Sequence, residues 1–312
     1  MFCIIAFVIL AILGIFSASN RALAKEALDC VFRRVTLRPC NTGFDEKMKA
    51  KILGSVITRS ETAARLVNKN FELLSWIFFI LMVGSSVWAL RGVYLFYVTG
   101  SCNGLNQAAF CVFDPKGANN QVSGLAATCK ADPSTEKDLT LNGVNLAGFP
   151  VLNENSRDKI VFIGCYHCDY TRKAYPMVMD LVKKSNASFT FLHYPVKENT
   201  DYMTKLGYCA YKQDQSKYWK MNDLFFTGDK MKLDDPEYIQ KTLSGLGLDT
   251  AKINVCINNP LTEDIVKKLL DEVVKTKFYG TPTVFINDKV LVGPKPYRVY
   301  AILLDGLFYW LK

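Results

Sequence analysis

The pentapeptide Gly164-Cys165-Tyr166-His167-Cys168 is the most informative part of the sequence. It follows the apolar run 160–163 and precedes a segment with helical periodicity. Two cysteines separated by two residues, placed where a strand meets a helix, can form a redox-active pair. We expect the first thiol to cap the helix, because the partial positive charge at a helix N-terminus favours a thiolate. The histidine directly before the second cysteine is a further group that can stabilise the anion.

A second motif, Gly280-Thr281-Pro282-Thr283, introduces an apolar strand far downstream. A proline at the start of a strand can adopt a cis bond without costing the sheet a hydrogen-bond donor. Apolar patterning predicts strands at 159–163, 188–194, 283–287 and 289–292, and helices at 168–184 and 297–311. Four more helices are predicted in the helical block between them, at 202–213, 215–226, 236–246 and 261–275. This order of elements predicts an α/β sheet with a helical insertion.

The charge and the cysteines are unevenly distributed along the 312 residues. Of the net charge of +9, residues 20–70 carry +6, since eleven Lys and Arg face five Asp and Glu there. This basic segment lies between two apolar runs, a pattern that suits a membrane surface better than nucleic acid, and we expect no nucleic-acid partner. Seven of the ten cysteines follow Val98. That density of cysteines indicates an oxidising compartment.

The two apolar runs predict two membrane spans, residues 1–19 and 73–98. Basic residues follow the first run and none precedes it, so the positive-inside rule places residues 20–72 in the cytoplasm and the chain beyond residue 99 outside. The small-residue sequence Ala22-Leu23-Ala24 keeps a cleaved signal as the alternative. Arg91 interrupts the second run, where its side chain can snorkel to the interface, and a functional role is the alternative.

The predicted cytoplasmic segment contains an amphipathic pattern at 45–71. It is typical of a helix lying on the inner membrane face, and an ordinary helix packed on a partner is the alternative. For Cys30 and Cys40 we expect reduced thiols, because two cysteines alone do not make a metal site.

The predicted extracytoplasmic part has a linker at 99–137 and a globular domain at 138–312. The linker, which could also be a small cap, contains Cys102, Cys111 and Cys129, and we expect one disulfide whose pairing the sequence leaves open. Within the domain, the helical insertion spans about 196–277. It carries Cys209 and Cys256, which are candidates for a structural disulfide or for two buried thiols.

Together these motifs resemble a known family. The CYHC motif at a strand-to-helix junction, Thr281-Pro282 before a hairpin, and the intervening insertion resemble the thioredoxin fold of membrane-anchored DsbA-like thiol–disulfide oxidoreductases. The insertion sequences Cys209-Ala210, Tyr218-Trp219-Lys220-Met221 and Leu224-Phe225 are similar to those of one bacterial and archaeal branch. A lone CxxC could equally be half of a zinc site. The Thr-Pro motif and the order of elements favour the redox interpretation.

The resemblance implies roles for individual residues. Cys165 would be the exposed attacking sulfur, Cys168 the buried resolving sulfur, and His167 a group that stabilises the thiolate. Pro282 would be the cis-proline that docks the substrate backbone, and Thr281 and Tyr166 would bind the substrate with it. The sequence departs from the family at Tyr166, where the family has proline, and at Gly164, where it has a bulkier residue. It also shows no clear counterpart of a buried acid, so the direction of electron flow stays open.

The sequence therefore predicts a two-pass membrane protein with an extracytoplasmic enzyme domain. We expect it to introduce disulfides into cysteine-containing exported proteins, without a cofactor or metal. By analogy, it would be reoxidised by a quinone-linked membrane partner of the DsbB or vitamin K epoxide reductase type. The alternatives are a disulfide reductase or isomerase of the same fold, and a copper-binding or interaction module without turnover.

Overall fold

The computed structural model describes residues 18–36, 61–107, 109–124, 139–196 and 201–311, with residues 46, 50, 54, 57 and 58 besides. It divides into two compact units, residues 1–91 and 92–312. The first unit contains the helices α1 (Ala18–Val35) and α2 (Glu61–Lys69), and α3 (Phe71–Thr99) begins in it. The predicted amphipathic pattern at 45–71 includes α2, whereas α1 was not predicted.

Among the described residues, α3 is the one helix long and apolar enough to cross a membrane. Its apolar side chains are largely exposed, among them Trp88 at 74%. It corresponds to the predicted second span. The predicted first span lies almost wholly outside the described residues, so the two-pass topology stays a prediction.

Cys30, on α1, is disulfide-bonded, and its partner lies outside the described residues. The expectation of a reduced thiol is therefore wrong for Cys30. Cys40 is outside the described residues as well. A disulfide is unusual in a reducing compartment, so this bond bears directly on where residues 20–72 are located.

The strands of the second unit are β1 (Ser123–Gly124), β2 (Val151–Leu152), β3 (Lys159–Gly164), β4 (Ser188–His193), β5 (Gly280–Thr281), β6 (Thr283–Ile286) and β7 (Lys289–Val292). Five of them form a mixed sheet with the order β2-β4-β3-β6-β7, and β1 and β5 lie outside it. Strands β3 and β4 are parallel, and the other pairs are antiparallel. The four predicted strands agree with the observed ones to within a residue at each end.

The helices of the second unit are α4 (Asp169–Ser185), α5 (Asp201–Gln213), α6 (Gln215–Thr227), α7 (Pro236–Gly245), α8 (Thr250–Ile257), α9 (Pro260–Lys275) and α10 (Tyr297–Asp305).

Alternate residues of β3 contribute to two different apolar clusters, as the period of two in a strand requires. Ile160 and Phe162 pack with α4, α10 and most of the insertion, whereas Val161 and Ile163 pack with Phe149 and with Val273 of α9. Because both faces of β3 are covered, the strand is almost wholly apolar.

The insertion, α5 to α9, contains a disulfide between Cys209 of α5 and Cys256 of α8. Helix α8 was not predicted, although Asp249 caps it by accepting a hydrogen bond from the Lys252 N–H. That aspartate was an available signal for a helix start. The final helix is shorter than predicted: it ends at Asp305 because Gly306 has a φ of +91°, and a 3₁₀ turn follows at Tyr309–Leu311.

Residues 100–107 and 109–124, which we call the cap, are docked on the domain and do not form an extended linker. A disulfide joins Cys102 to Cys111. The Asn106 side chain donates to the Val290 carbonyl oxygen at 3.0 Å and accepts from the Val292 N–H at 2.7 Å, so it extends the edge of β7. The cap then enters β1, which pairs antiparallel with β5 in a separate two-stranded sheet.

Candidate redox site

The two motif cysteines lie in the turn between β3 and α4. The Cys168 N–H donates to the Cys165 carbonyl oxygen at 3.2 Å, which closes this turn before the helix begins at Asp169. Cys168 is therefore the N-cap residue, and its sulfur accepts a hydrogen bond from the Thr171 N–H at 3.4 Å. The prediction that Cys165 caps the helix is wrong, because the turn places that residue three positions before the N-cap.

Gly164, at the end of β3, gives this turn the space it needs. A Cβ atom at this position would lie 2.5 Å from Thr171 Cγ2 and 2.8 Å from Phe162 Cε1. Thr171 and Phe162 are fully buried, so neither can easily give way. The glycine therefore lets the first turn of α4 approach the strand closely, and this accounts for the departure from the bulkier residue of the family.

Both cysteines are thiols in this structure, and both are 0% exposed. They form a small cluster with Val196, and Tyr170 and Tyr194 pack against it. The expectation of an exposed Cys165 and a buried Cys168 is thus wrong for Cys165. A client sulfur could reach the pair only after some of this cover has moved.

The sulfur of Cys168 is surrounded by hydroxyl groups. Its thiol can donate to Ser123 Oγ at 3.0 Å or to the Thr281 carbonyl oxygen at 3.4 Å. The hydroxyls of Thr171 and Thr281 are buried, and within the described part of the chain they make no hydrogen bond of their own. Both would gain an acceptor if the sulfur became a thiolate.

These groups change the pKa of the Cys168 thiol. Burial by itself raises the pKa of the thiol, but hydrogen bonds to the thiolate from Ser123, Thr171 and Thr281 outweigh burial, and the net result is a lowered pKa. Hydrogen bonds to the charged form stabilise a thiolate in this way. The structure therefore lowers the pKa of the second cysteine of the motif, whereas the sequence predicted a stabilised thiolate at the first.

The proline motif lies against the cysteines. The Thr281–Pro282 peptide bond is cis, and the Thr281 carbonyl oxygen contacts the Cys168 sulfur. Strand β6, directly after Pro282, pairs antiparallel with β3, the strand that leads into the CYHC turn. The sheet thus brings the two sequence motifs together across more than a hundred residues.

His167 makes its contact with the insertion. Its Nε2 atom is 3.0 Å from Asp234 Oδ1, at the end of the 3₁₀ helix Lys230–Asp234. The Asp234 side chain is 68% exposed, so it is not the buried acid that some relatives use. Sequence reasoning missed Asp234, since nothing near it in the chain marks it as a partner of the motif.

Tyr166 is a core residue, and the prediction that it binds substrate is wrong. It is 1% exposed, and its hydroxyl donates to Asn222 Oδ1 at 2.7 Å. Its ring stacks on His193 with the centroids 4.8 Å apart. Burial raises the pKa of this tyrosine well above its usual range. The aromatic side chain in place of proline therefore anchors the turn to the insertion.

His193, on β4, is buried beside Tyr166. Its Nδ1 atom is 2.7 Å from Thr204 Oγ1. Its Nε2 atom is buried and has no hydrogen-bond partner among the described residues. Burial, and then the charge of His167, lower the pKa of His193 to about 3. The ring is neutral at physiological pH.

Arg172, which sequence reasoning also missed, ties the turn to the insertion. Its guanidinium donates to the Tyr166 carbonyl oxygen at 3.1 Å and to the carbonyl oxygens of Phe225 and Gly228 on the other side. Burial is the main cause of its lowered pKa.

Across the described ranges, no group of three or more His, Cys, Asp or Glu side chains could hold a metal ion.

A comparison with protein families finds a match, which lies within the second unit. Residues 153–304 match a family model described as a DSBA-like thioredoxin domain. None of the curated proteins compared with the chain matches it.

Several solved structures are similar to the chain. The thiol-disulfide exchange protein alpha-DsbA2 from Wolbachia pipientis is 21% identical, with a TM-score of 0.47, over 56% of this chain and 92% of that one. The catalytic domain of Proteus mirabilis ScsC is 17% identical, with a TM-score of 0.46, over 57% and 96%. BdbD from Bacillus subtilis is 18% identical, with a TM-score of 0.41, over 50% and 89%.

Proposed function

Residues 153–304 form a DSBA-like thioredoxin domain, and on that premise we propose that this chain is a membrane-anchored, extracytoplasmic thiol–disulfide oxidoreductase. In the proposed reaction the Cys165–Cys168 pair introduces disulfides into cysteine-containing exported proteins. The observation that carries the proposal is the environment of Cys168, whose sulfur lies beside three hydroxyl groups and the cis-proline loop and has a lowered pKa.

The lowered pKa supports oxidation as the direction of the reaction. A stabilised thiolate favours the reduced form of the pair, and a pair whose reduced form is favoured is a stronger oxidant of other thiols. The same stabilisation makes Cys168 a better leaving group, since a thiol of lower pKa departs faster from a disulfide.

The proposed reaction starts from the Cys165–Cys168 disulfide. A client thiolate attacks the sulfur of Cys165, the Cys165–Cys168 bond breaks, and Cys168 leaves as the thiolate that the three hydroxyls stabilise. The second client thiolate then attacks the client sulfur of the mixed disulfide and releases Cys165 as a thiolate. The client has lost two electrons to the enzyme, and the protons of its thiols pass to solvent or to the enzyme sulfurs.

The client backbone is proposed to dock on the cis-proline loop. Thr281 and Pro282 lie against the cysteines, as the family resemblance requires of the residues that hold a substrate. An extended client segment could pair with β5 as an additional strand, with backbone hydrogen bonds supplying much of the affinity. Tyr166 is left out of this site because it is buried.

The proposed location follows from α3 and from the disulfides. The disulfides Cys102–Cys111 and Cys209–Cys256 support an oxidising compartment for residues 99–312, and α3 would anchor that part in the lipid membrane. A first span at 1–19 is also proposed, whereas the disulfide of Cys30 argues against the predicted cytoplasmic location of residues 20–72. A quinone-linked membrane protein of the DsbB or vitamin K epoxide reductase type would take the two electrons from the reduced pair.

The test is oxidation of a two-cysteine peptide by the full chain, purified in detergent and preoxidised. We expect wild type to oxidise the peptide and Cys165→Ser to be inactive, with Cys209→Ala/Cys256→Ala as a control that removes a different cysteine pair. The reduction potential of the pair decides the direction: about −120 mV is typical of a strong oxidant and about −270 mV of a reductase. A potential near the lower value would favour a reductase or isomerase, and an inactive wild type would refute the proposed enzyme.

A further inference from the structure

Strand β1 lies along the strand that precedes the cis-proline. Ser123 pairs with Thr281, and Gly124 pairs with Gly280, in an antiparallel register. In the described ranges β1 is the sole strand neighbour of β5. We call residues 122–124 the strap. The strap thus occupies the edge of β5 on which a client strand would be expected to pair.

Two glycines of the domain fit the path of the strap. A Cβ atom at Gly280 would lie 2.7 Å from Val122 Cγ2 and 2.8 Å from Val122 Cβ. A Cβ atom at Gly293, which has a φ of +82°, would lie 2.9 Å from the backbone of Asn120 and Gln121. The strap is therefore in direct contact with the domain at Gly280, and the two residues before the strap are in contact with it at Gly293. At both positions there is space for nothing larger than glycine.

The residues directly before the strap are anchored to the domain. Lys295 is 1% exposed, and its ammonium group donates to Asn120 Oδ1. The Asn119 side chain donates to the Gly100 carbonyl oxygen at 2.9 Å, at the start of the cap. These polar contacts fix where the strap begins, so its position over β5 is set by the fold of the cap.

The strap also reaches the redox pair itself. Ser123 Oγ is 3.0 Å from the Cys168 sulfur, and both motif cysteines are 0% exposed. We propose that the strap is an internal pseudo-client: it takes the place of a client backbone beside Thr281 and shields the Cys165–Cys168 pair until a client strand displaces it. This inference rests on the proposed function, because it assumes that clients dock on β5.

The chemistry of the strap suits this role. Ser123 has no sulfur, so the strap can fill the site without entering thiol–disulfide exchange. The strand is two residues long with small side chains, which keeps its hold on β5 weak. Because the strap is part of the same chain and begins beside residues anchored to the domain, it competes with a client as an intramolecular segment at high effective concentration. A client must therefore offer an extended segment that pairs better than the strap, which selects for unfolded chains.

The experiment measures the accessibility of the two thiols in the reduced full chain in detergent. Iodoacetamide labelling is followed over time by mass spectrometry of the tryptic peptide 160–172, which contains both motif cysteines. The variants are Val122→Asp, which places a charge against Gly280, and Val122→Gly, which removes the contact. The matched controls are Val112→Asp and Val112→Gly, because Val112 lies in the same cap and is 74% exposed.

We expect labelling to be about tenfold faster in both Val122 variants than in wild type, equivalent to about 1.4 kcal/mol, and unchanged in the Val112 controls. The KM for the peptide client should fall as well. Equal labelling rates in the Val122 variants, the controls and wild type would overturn the proposal. Hydrogen exchange of β3 checks folding, and if Val122→Asp loses protection there, Val122→Gly decides the result.

The labelling result is independent of turnover. If wild type and the Val122 variants all fail to oxidise the peptide while the Val122 variants label faster, the proposed function fails and the shielding by the strap stands. If wild type oxidises the peptide while labelling is the same in every variant, the strap proposal fails alone.

Discussion

The hydroxyl oxygen of Ser123 lies 3.0 Å from the sulfur of Cys168, although 45 positions separate the two residues in the chain. Ser123 precedes the stretch 153–304 that matches the family model. A group that hydrogen-bonds to one of the two redox sulfurs is thus supplied by the cap and lies outside the matched domain. The properties of the Cys168 thiol should therefore depend on the cap as well as on the CYHC motif.

The first prediction concerns this contact. Replacing Ser123 with alanine removes a hydroxyl that stabilises the thiolate, so the pKa of Cys168 should rise. Ser123→Thr keeps a hydroxyl and should restore most of the effect. The ultraviolet absorbance of the thiolate, followed against pH in a Cys165→Ser background, measures the shift. Ser216→Ala, an exposed serine on α6, is the control, and a pKa that is the same in Ser123→Ala and in this control would contradict the prediction.

The second prediction separates the roles of the two cysteines. With Cys168→Ser, a client disulfide attacked by Cys165 should remain as a stable mixed disulfide, because no second enzyme thiol is present to resolve it. With Cys165→Ser, Cys168 should trap little client, because Cys165 is the sulfur that meets the client in the proposed reaction. Non-reducing gels with a cysteine-containing client measure the adducts. The reverse pattern, with adducts accumulating on Cys168, would show that the polarised sulfur is also the attacking one.

The elements around the two motifs could be predicted because their signals are local. Short continuous apolar runs define β3 and β6, and the proline motif identifies the start of β6. The burial of Cys165 could not be predicted in the same way, because it depends on Val196 and on neighbouring tyrosines that only the fold brings to it. The choice of Cys168 as the N-cap depends on a turn that places the cap three residues after Cys165, which periodicity does not resolve.

The strap shows the same limit more clearly. Residues 122–124 lie in a cap whose composition predicts a loop, and their pairing with β5 connects positions far apart in the sequence. Gly280 belongs to the proline motif, which the sequence shows. Only the structure shows why this position is a glycine: Val122 approaches too closely for a side chain. Tyr166 illustrates the opposite error: its place in the motif suggested a role at the surface, whereas its ring completes the core.

The third prediction concerns the disulfide in the insertion. The Cys209–Cys256 bond closes a loop with a sequence separation of 47, and Cys209→Ala/Cys256→Ala should lower the free energy of unfolding by about 4 kcal/mol on chain-entropy grounds. Cys102→Ala/Cys111→Ala is the matched comparison, because that bond closes a separation of only 9, and its loss should cost about 1.5 kcal/mol less. Urea denaturation in the absence of reductant measures both, and a larger loss for the cap disulfide would contradict the loop argument.

The fourth prediction concerns acid stability and His193. The pKa of His193 is about 3 in the folded protein and 6.5 for an unperturbed histidine, so below pH 6.5 the unfolded chain binds a proton that the folded protein does not. The depressed pKa therefore adds stability that is present above pH 6.5 and is lost progressively as the pH falls toward 3. The groups that face the ring are Tyr166, Thr204 and, through its charge, His167.

In the variant His193→Gln this proton uptake is absent, so the loss of stability between pH 7 and pH 4 should be smaller than in wild type by about 2–3 kcal/mol. Urea denaturation at the two pH values measures the difference, and comparison within each protein removes the constant cost of losing the stacking on Tyr166. Carboxylates elsewhere contribute equally to both proteins and cancel. Parallel pH profiles for wild type and His193→Gln would mean that the buried imidazole takes up its proton without unfolding, and that the ring has access to water in the native state.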